Sequence, residues 1–176
     1  WQVKIENSNK ANFAEWTPIR SDDRYINQHL AGTQTFYIML DTGKADGIKQ
    51  PEILNAIASL QQYVMHIPGV GKTLSIADFI QRMHTLMASD STRSLPDNQD
   101  LISQYLLLYS MSGDGSDFDS YVDFAYQRAN IKIYVKQDDS AFVRYLVQQT
   151  HAQAQQLFTS EVKLSFGGGI AEAPAL

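Results

Sequence analysis

The chain contains no cysteine. That excludes disulfide bridges, thiolate nucleophiles and cysteine-based zinc sites, and it suits an oxidising compartment as well as a reducing one. No apolar run reaches the ~18 to 20 residues that cross a bilayer as a helix, and no signal peptide is visible. Basic residues are also scarce: 14 Lys and Arg stand against 19 Asp and Glu, a net charge of −5. A nucleic-acid binder needs a cationic stripe to neutralise phosphates, so this balance argues against that class. No segment has low complexity and no internal repeat is clear.

What is present has globular character. Hydrophobic residues make up 44% and charged residues 19%, far from the composition of a disordered chain. At 176 residues one domain with its own core is expected, given roughly 150 residues per domain. The chain begins at Trp1 rather than Met, so residues 1–176 are expected to be one domain of a larger protein.

Residues 2–7 alternate apolar and polar, which predicts a strand with Val3 and Ile5 on one face. Phe13 and Trp16 are expected to anchor the polar passage that follows. A short helix is predicted over 22–31, capped by Ser21 or Asp22, with Tyr25, Ile26, His29 and Leu30 on one side and Gly32 ending it. Thr35 to Leu40 is almost continuously apolar, as a central strand would be. Pro51 opens a helix at a position where its missing N–H costs nothing. Ile53, Leu54, Ile57, Leu60, Val64 and Ile67 then recur near the 3.6 period as a core stripe. Pro68 and Gly69 stop that helix, and 70–75 reads as a short strand. Ser75 with Asp78 predicts a capping box for a helix to about Met87, buried through Phe79, Ile80, Met83, Leu86 and Met87.

After a polar connection at 88–96, Asp97 is placed to cap another helix. Leu101, Ile102, Tyr105, Leu106, Leu108 and Tyr109 make it apolar around most of its girth, which predicts burial on more than one side. Residues 112–119 read as a loop and 121–136 as a strand, with Ile131, Ile133 and Val135 inward. Asp138, Asp139 and Ser140 open a long helix to about Phe158, with Phe142, Val143, Leu146, Val147 and Leu157 apolar. Val162 to Phe166 alternates once more. From Thr35 on, the order is strand, helix, strand, helical insertion (about 78–119), strand, helix, strand. Two strand–helix–strand units in series predict an α+β, ferredoxin-like split βαβ sandwich, with its core at 35–170, an antiparallel-to-mixed sheet and helices on one face.

Gly69-Val70-Gly71-Lys72-Thr73 has the look of a phosphate-binding loop. The pattern needs a glycine five residues before Gly71, where His66 stands, and it needs strand, loop, then helix so that helix amides face the phosphates. Here a helix precedes and a strand follows, which turns the negative end of the dipole to the turn. The nucleotide reading fails, and no cofactor is expected. His29, His66, His84 and His151 have no metal-ligand spacing, and no Gly-x-Ser-x-Gly elbow accompanies the serines. Gly113 to Asp119 lacks the order of acids, glycine and terminal glutamate of a calcium loop. The pairs Asp22/Asp23 and Asp138/Asp139 sit at helix starts, where the dipole favours negative charge. No catalytic residue and no enzyme activity are expected. Aromatic residues beyond the core stripes collect at Tyr105, Tyr109, Met111 and Tyr121, a candidate interface or apolar substrate surface, with core packing as the competing account.

Several separate words, in order, carry a family resemblance. They are Pro51-Glu52-Ile53-Leu54, Leu60-Gln61-Gln62-Tyr63, Ile67 to Lys72, Leu74 to Phe79, and Leu101 to Gly113, with a weaker match at 129–133. Together they resemble the periplasmic loops of predicted exporters of the RND superfamily, in its MMPL-like branch of hydrophobe or lipid exporters. The resemblance implies a porter-type domain between two transmembrane helices of a proton-driven exporter, on the periplasmic face of the bacterial inner membrane. The implied partners are those helices, a second periplasmic domain of the same polypeptide, and a hydrophobic or lipidic substrate; a homo-oligomer is also open. The proton-relay carboxylates of such exporters lie in membrane helices beyond this stretch. The alternative is a periplasmic interaction or assembly module that never touches substrate.

Overall fold

The computed structural model describes residues 14, 16–88, 94–112, 118–137 and 139–168. The strand expected at 2–7, the anchor Phe13, most of the loop after Ser112, and Asp138 lie outside the described residues.

Helix α1 spans Pro18–His29, starting four residues before the predicted 22 with proline at its first turn. Thr17 precedes it, so neither Ser21 nor Asp22 caps it. Its expected apolar side is not a core face: Tyr25 and Leu30 are mostly exposed, and so is Trp16, the expected anchor.

Strand β1, Gln34–Asp41, alternates cleanly, with Phe36, Ile38 and Leu40 fully buried. A 3-10 turn at Gly47–Lys49 leads into helix α2, Pro51–Met65. Helix α2 buries Leu54, Ile57, Leu60 and Val64, the predicted stripe. His66 forms its C-cap, and Gly69 (φ +96°) takes the left-handed conformation that turns the chain into strand β2, Val70–Leu74. Helix α3, Ile76–Met87, begins with the predicted capping box: the Ser75 hydroxyl accepts from Ala77 N, and the Asp78 carboxylate accepts from Ser75 N at 2.8 Å.

Helix α4, Gln99–Ser112, buries Ile102, Tyr105 and Leu106 but leaves Leu107, Leu108 and Met111 exposed. Expected burial on more than one side is therefore corrected to one side: among the described elements, the main contacts of α4 are with α3 and the 3-10 turn. On α3 itself Leu86 and Met87 are exposed at the C-terminal end, beyond the reach of the core.

Strand β3 runs from Arg128 to Val135, shorter than the predicted 121–136. The chain before it is a tight turn in which Tyr126 has φ +49°, joined to β3 through an isolated bridge of Val122 opposite Ala129. Helix α5, Ser140–Leu157, is capped by Asp139, whose carboxylate accepts from Ala141 N and Phe142 N. Strand β4, Lys163–Gly168, closes the sheet.

The sheet is four-stranded with the order β2-β3-β1-β4, and every neighbouring pair is antiparallel. It follows that β1 and β2 run parallel across β3, and β3 and β4 run parallel across β1. Each helix α2 or α5 thus joins two parallel strands with one strand between them. Both helices touch one another and share one core with Phe36, Ile38, Leu40, Ile131 and Ile133. The fold is α+β.

Candidate functional site

Three places stand out. The first is the joint between α2, β2 and α3. Gln61 is buried at the middle of α2, and its amide nitrogen donates to the Asp78 carboxylate at 2.7 Å and to the Thr73 hydroxyl at 3.3 Å. Its amide oxygen accepts from the fully buried Ser75 hydroxyl at 2.7 Å. One glutamine thereby satisfies strand, cap and helix together, as a buried polar group requires. Above this network lies an open groove of about 560 Å³ whose walls include Asn55, Ser59, Gln62, Gln81, Ser94 and Leu95. Its lining is chiefly neutral amides and hydroxyls, with one carboxylate. Gly69 closes the turn out of α2 and Val70 to Thr73 lie in β2, so a helix C-terminus rather than an N-terminus leads into these glycines.

The second is the predicted aromatic surface. Tyr105 is only 5% exposed, and its hydroxyl lies 3.0 Å from His84 Nδ1. Tyr109 stacks on Phe118 with ring centroids 4.5 Å apart, Phe118 meets Phe79 at 5.4 Å, and Phe79 meets Tyr121 at 5.2 Å. Tyr109 and Tyr121 are thus the two ends of a ring chain that ties α4 to the sheet, with both half-buried. Met111 is exposed on α4 together with Leu107 and Leu108. The structure brings Tyr109 and Tyr121 together, ties Tyr105 to α3 instead, and leaves Met111 outward.

The third was missed by sequence reasoning. The sheet face away from α2 and α5 carries Tyr37 opposite Lys132 and Met39 opposite Asn130. Lys72 lies opposite Tyr134, and Leu74 opposite Lys132. Asn130 N donates to Tyr121 O, which brings Tyr121 alongside β3 at that edge. The Lys132 ammonium is 5.9 Å from the centre of the Tyr37 ring and 5.2 Å from that of Tyr134, within cation–π range. Its pKa is raised, first by a hydrogen bond with Tyr134 and against the effect of burial. Burial raises the Tyr121 phenol too. At the end of this face Asp41 is held below the usual carboxylate range, first by the Gln127 side chain and then by the Gly43 amide. Alternation along two strands 90 residues apart is the only signal of this cluster, and nothing local in sequence joins them.

Among the described residues no group of three or more His, Asp or Glu is placed to hold a metal ion. None of the described helices is long and apolar enough to cross a membrane. Comparison with protein-family models gives no match, and comparison with curated proteins gives none either.

Proposed function

We propose that this chain is a periplasmic, porter-type domain of a proton-driven RND-superfamily exporter of the MMPL-like branch, with a ferredoxin-like fold. In this reading it helps to bind or guide a hydrophobic or lipidic substrate and does no chemistry itself. The observation that carries the reading is the strand order β2-β3-β1-β4. Two interleaved βαβ units with α3 and α4 inserted between them are what the words quoted from residues 51–113 imply. Exposed Leu107, Leu108 and Met111 supply an apolar strip for cargo on that insertion.

The assembly-module reading is favoured by one feature, the fully exposed Phe124 in a tight turn. A side chain of that size held in water suits a contact with another body.

The absence of cysteine makes location testable in the full-length parent. Ala152→Cys, on an exposed site of α5 behind the sheet, is expected to react with a membrane-impermeant maleimide once the outer membrane is permeabilised. Labelling only after the inner membrane is broken overturns the periplasmic reading. Leu107→Ser with Met111→Ser is then expected to lower export of a lipophilic dye at unchanged abundance; full export with both changes favours the assembly module.

A further inference from the structure

The open sheet face is unusual for this chain. The whole molecule is acidic, yet the strands place Lys72, Arg128, Lys132 and Lys163 on that face against Asp41. Arg128 is occupied by Asp123, with Nε 3.1 Å from its carboxylate, and Lys163 lies opposite Asp41. Lys72 and Lys132 stand further along the sheet, among Tyr37, Tyr134 and Tyr121. Met39 is half-exposed beside them.

The turn before β3 adds an anchor. Asp123 Oδ1 accepts from the amides of Gln127 and Arg128, Tyr126 N donates to Asp123 O, and Asp46 N donates to Ala125 O. Lys49 lies 4.2 Å from the centre of the Tyr126 ring. So many ties fix the turn, and Phe124 is presented from it with its ring wholly in water. Leaving a phenylalanine exposed forgoes the gain of burial, which is substantial for so large a ring. Phe124 follows Asp123 in this turn, and Asp123 accepts from the amide of Arg128 at the start of β3, so the turn stands at that end of the sheet.

We propose that this face, with Phe124 at its end, docks on an anionic lipid bilayer. The face is the pleated side of a four-stranded sheet, so it fits an extended surface better than a small ligand. A lysine at the centre, rather than at the rim, is atypical of protein interfaces, whose cores are depleted in lysine. Tyrosines belong at headgroup depth, lysines gain from anionic lipid, and an exposed phenylalanine can enter the acyl boundary. A nucleic acid is disfavoured because Lys132 lies over the two rings on which bases would stack. The proposal rests on the exporter reading only in setting the domain beside a membrane.

The test is sedimentation of the 176-residue chain with vesicles of phosphatidylcholine alone or with about a third phosphatidylglycerol, a proportion that gives a strongly negative surface. Expected is binding to the anionic vesicles at low salt, lost on pure phosphatidylcholine and in high salt. Lys72→Gln and Lys132→Gln should each weaken it about five-fold, the effect of one lysine near a charged surface. Phe124→Ser should weaken it at least as much, while circular dichroism and Tm stay unchanged. Arg144→Gln, on α5 behind the sheet, should leave it unaltered. Absence of binding, equal binding to both vesicle types, or an equal loss with Arg144→Gln overturns the proposal. So does tight binding of an oligouridylate that depends on Tyr37 and Tyr134. Vesicle binding and maleimide labelling fail independently, which separates this proposal from the exporter reading.

Discussion

Replacing Gln61 by alanine tests the view that a single amide holds the α2–β2–α3 joint. The Ser75 hydroxyl is wholly buried and donates to Gln61 Oε1; without that acceptor it is stranded at a cost of about 1–3 kcal/mol. The bond from Gln61 Nε2 to Asp78 is charge-assisted, but Asp78 is only half-buried and keeps the Ser75 amide. Water recovers part of what is lost there, so that bond adds about 1 kcal/mol. Together with lost packing, Gln61→Ala should cost about 2–4 kcal/mol, a large share of the ~5–15 kcal/mol that a domain of this size has. Urea unfolding followed by far-ultraviolet circular dichroism should show a lower midpoint at unchanged m. Tm should drop by about 5–15 °C. The decisive measurement is the double-mutant cycle with Ser75→Ala. Bonded partners should couple by about 1–2 kcal/mol. A cost under about 0.5 kcal/mol with additive effects would refute the idea that Gln61 organises the joint.

Three further changes are informative. Tyr105→Phe removes only the hydroxyl that meets His84 and should cost about 0.5–1.5 kcal/mol. Tyr105→Ala empties a buried site and should cost about 3–5 kcal/mol in urea melts; near-equal losses would mean that Tyr105 is not packed as described. Burial pushes the Asp123 carboxyl up, but the amides of Arg128 and Gln127 and the Arg128 guanidinium more than reverse this and leave it lowered. A lowered carboxylate stabilises above its unfolded pKa and loses that contribution as pH falls through its folded one. Asp123→Ala should therefore lower Tm at neutral pH, with the gap to the parent chain narrowing below about pH 4; a gap independent of pH refutes the charge account.

Much of the fold is legible because its signals are local. Proline at Pro51, the Ser75–Asp78 box and the alternation around Ile131 and Ile133 each act within one or two turns of chain. Helix α1 is misplaced by four residues because Ser21 and Asp22 are plausible caps, while Pro18 is the start signal that matters. The start of β3 is misread because Asp123 and Tyr126 build a turn inside an aromatic, strand-like run. The apolar girth of α4 shows what it can bury, not what packs against it, so Leu107 and Met111 remain outside. Among the predicted site residues, Tyr109 and Tyr121 meet through Phe118 and Phe79. The lysine between Tyr37 and Tyr134 is invisible until the strand order is known. Side chains that face each other across a sheet leave no spacing in the chain.

The strand order also governs when the domain can exist during synthesis. Neither strand of the first half pairs with the other: β1 has β3 and β4 as neighbours, and β2 has β3 alone. Among the described strands, a nascent chain that has emerged only as far as α4 holds no neighbouring pair from which to start the sheet. Until β3 emerges, none of the described strands is present for Phe36, Ile38 and Leu40 to lie beside. Assembly thus waits for β3, which can then join both earlier strands in one cooperative step.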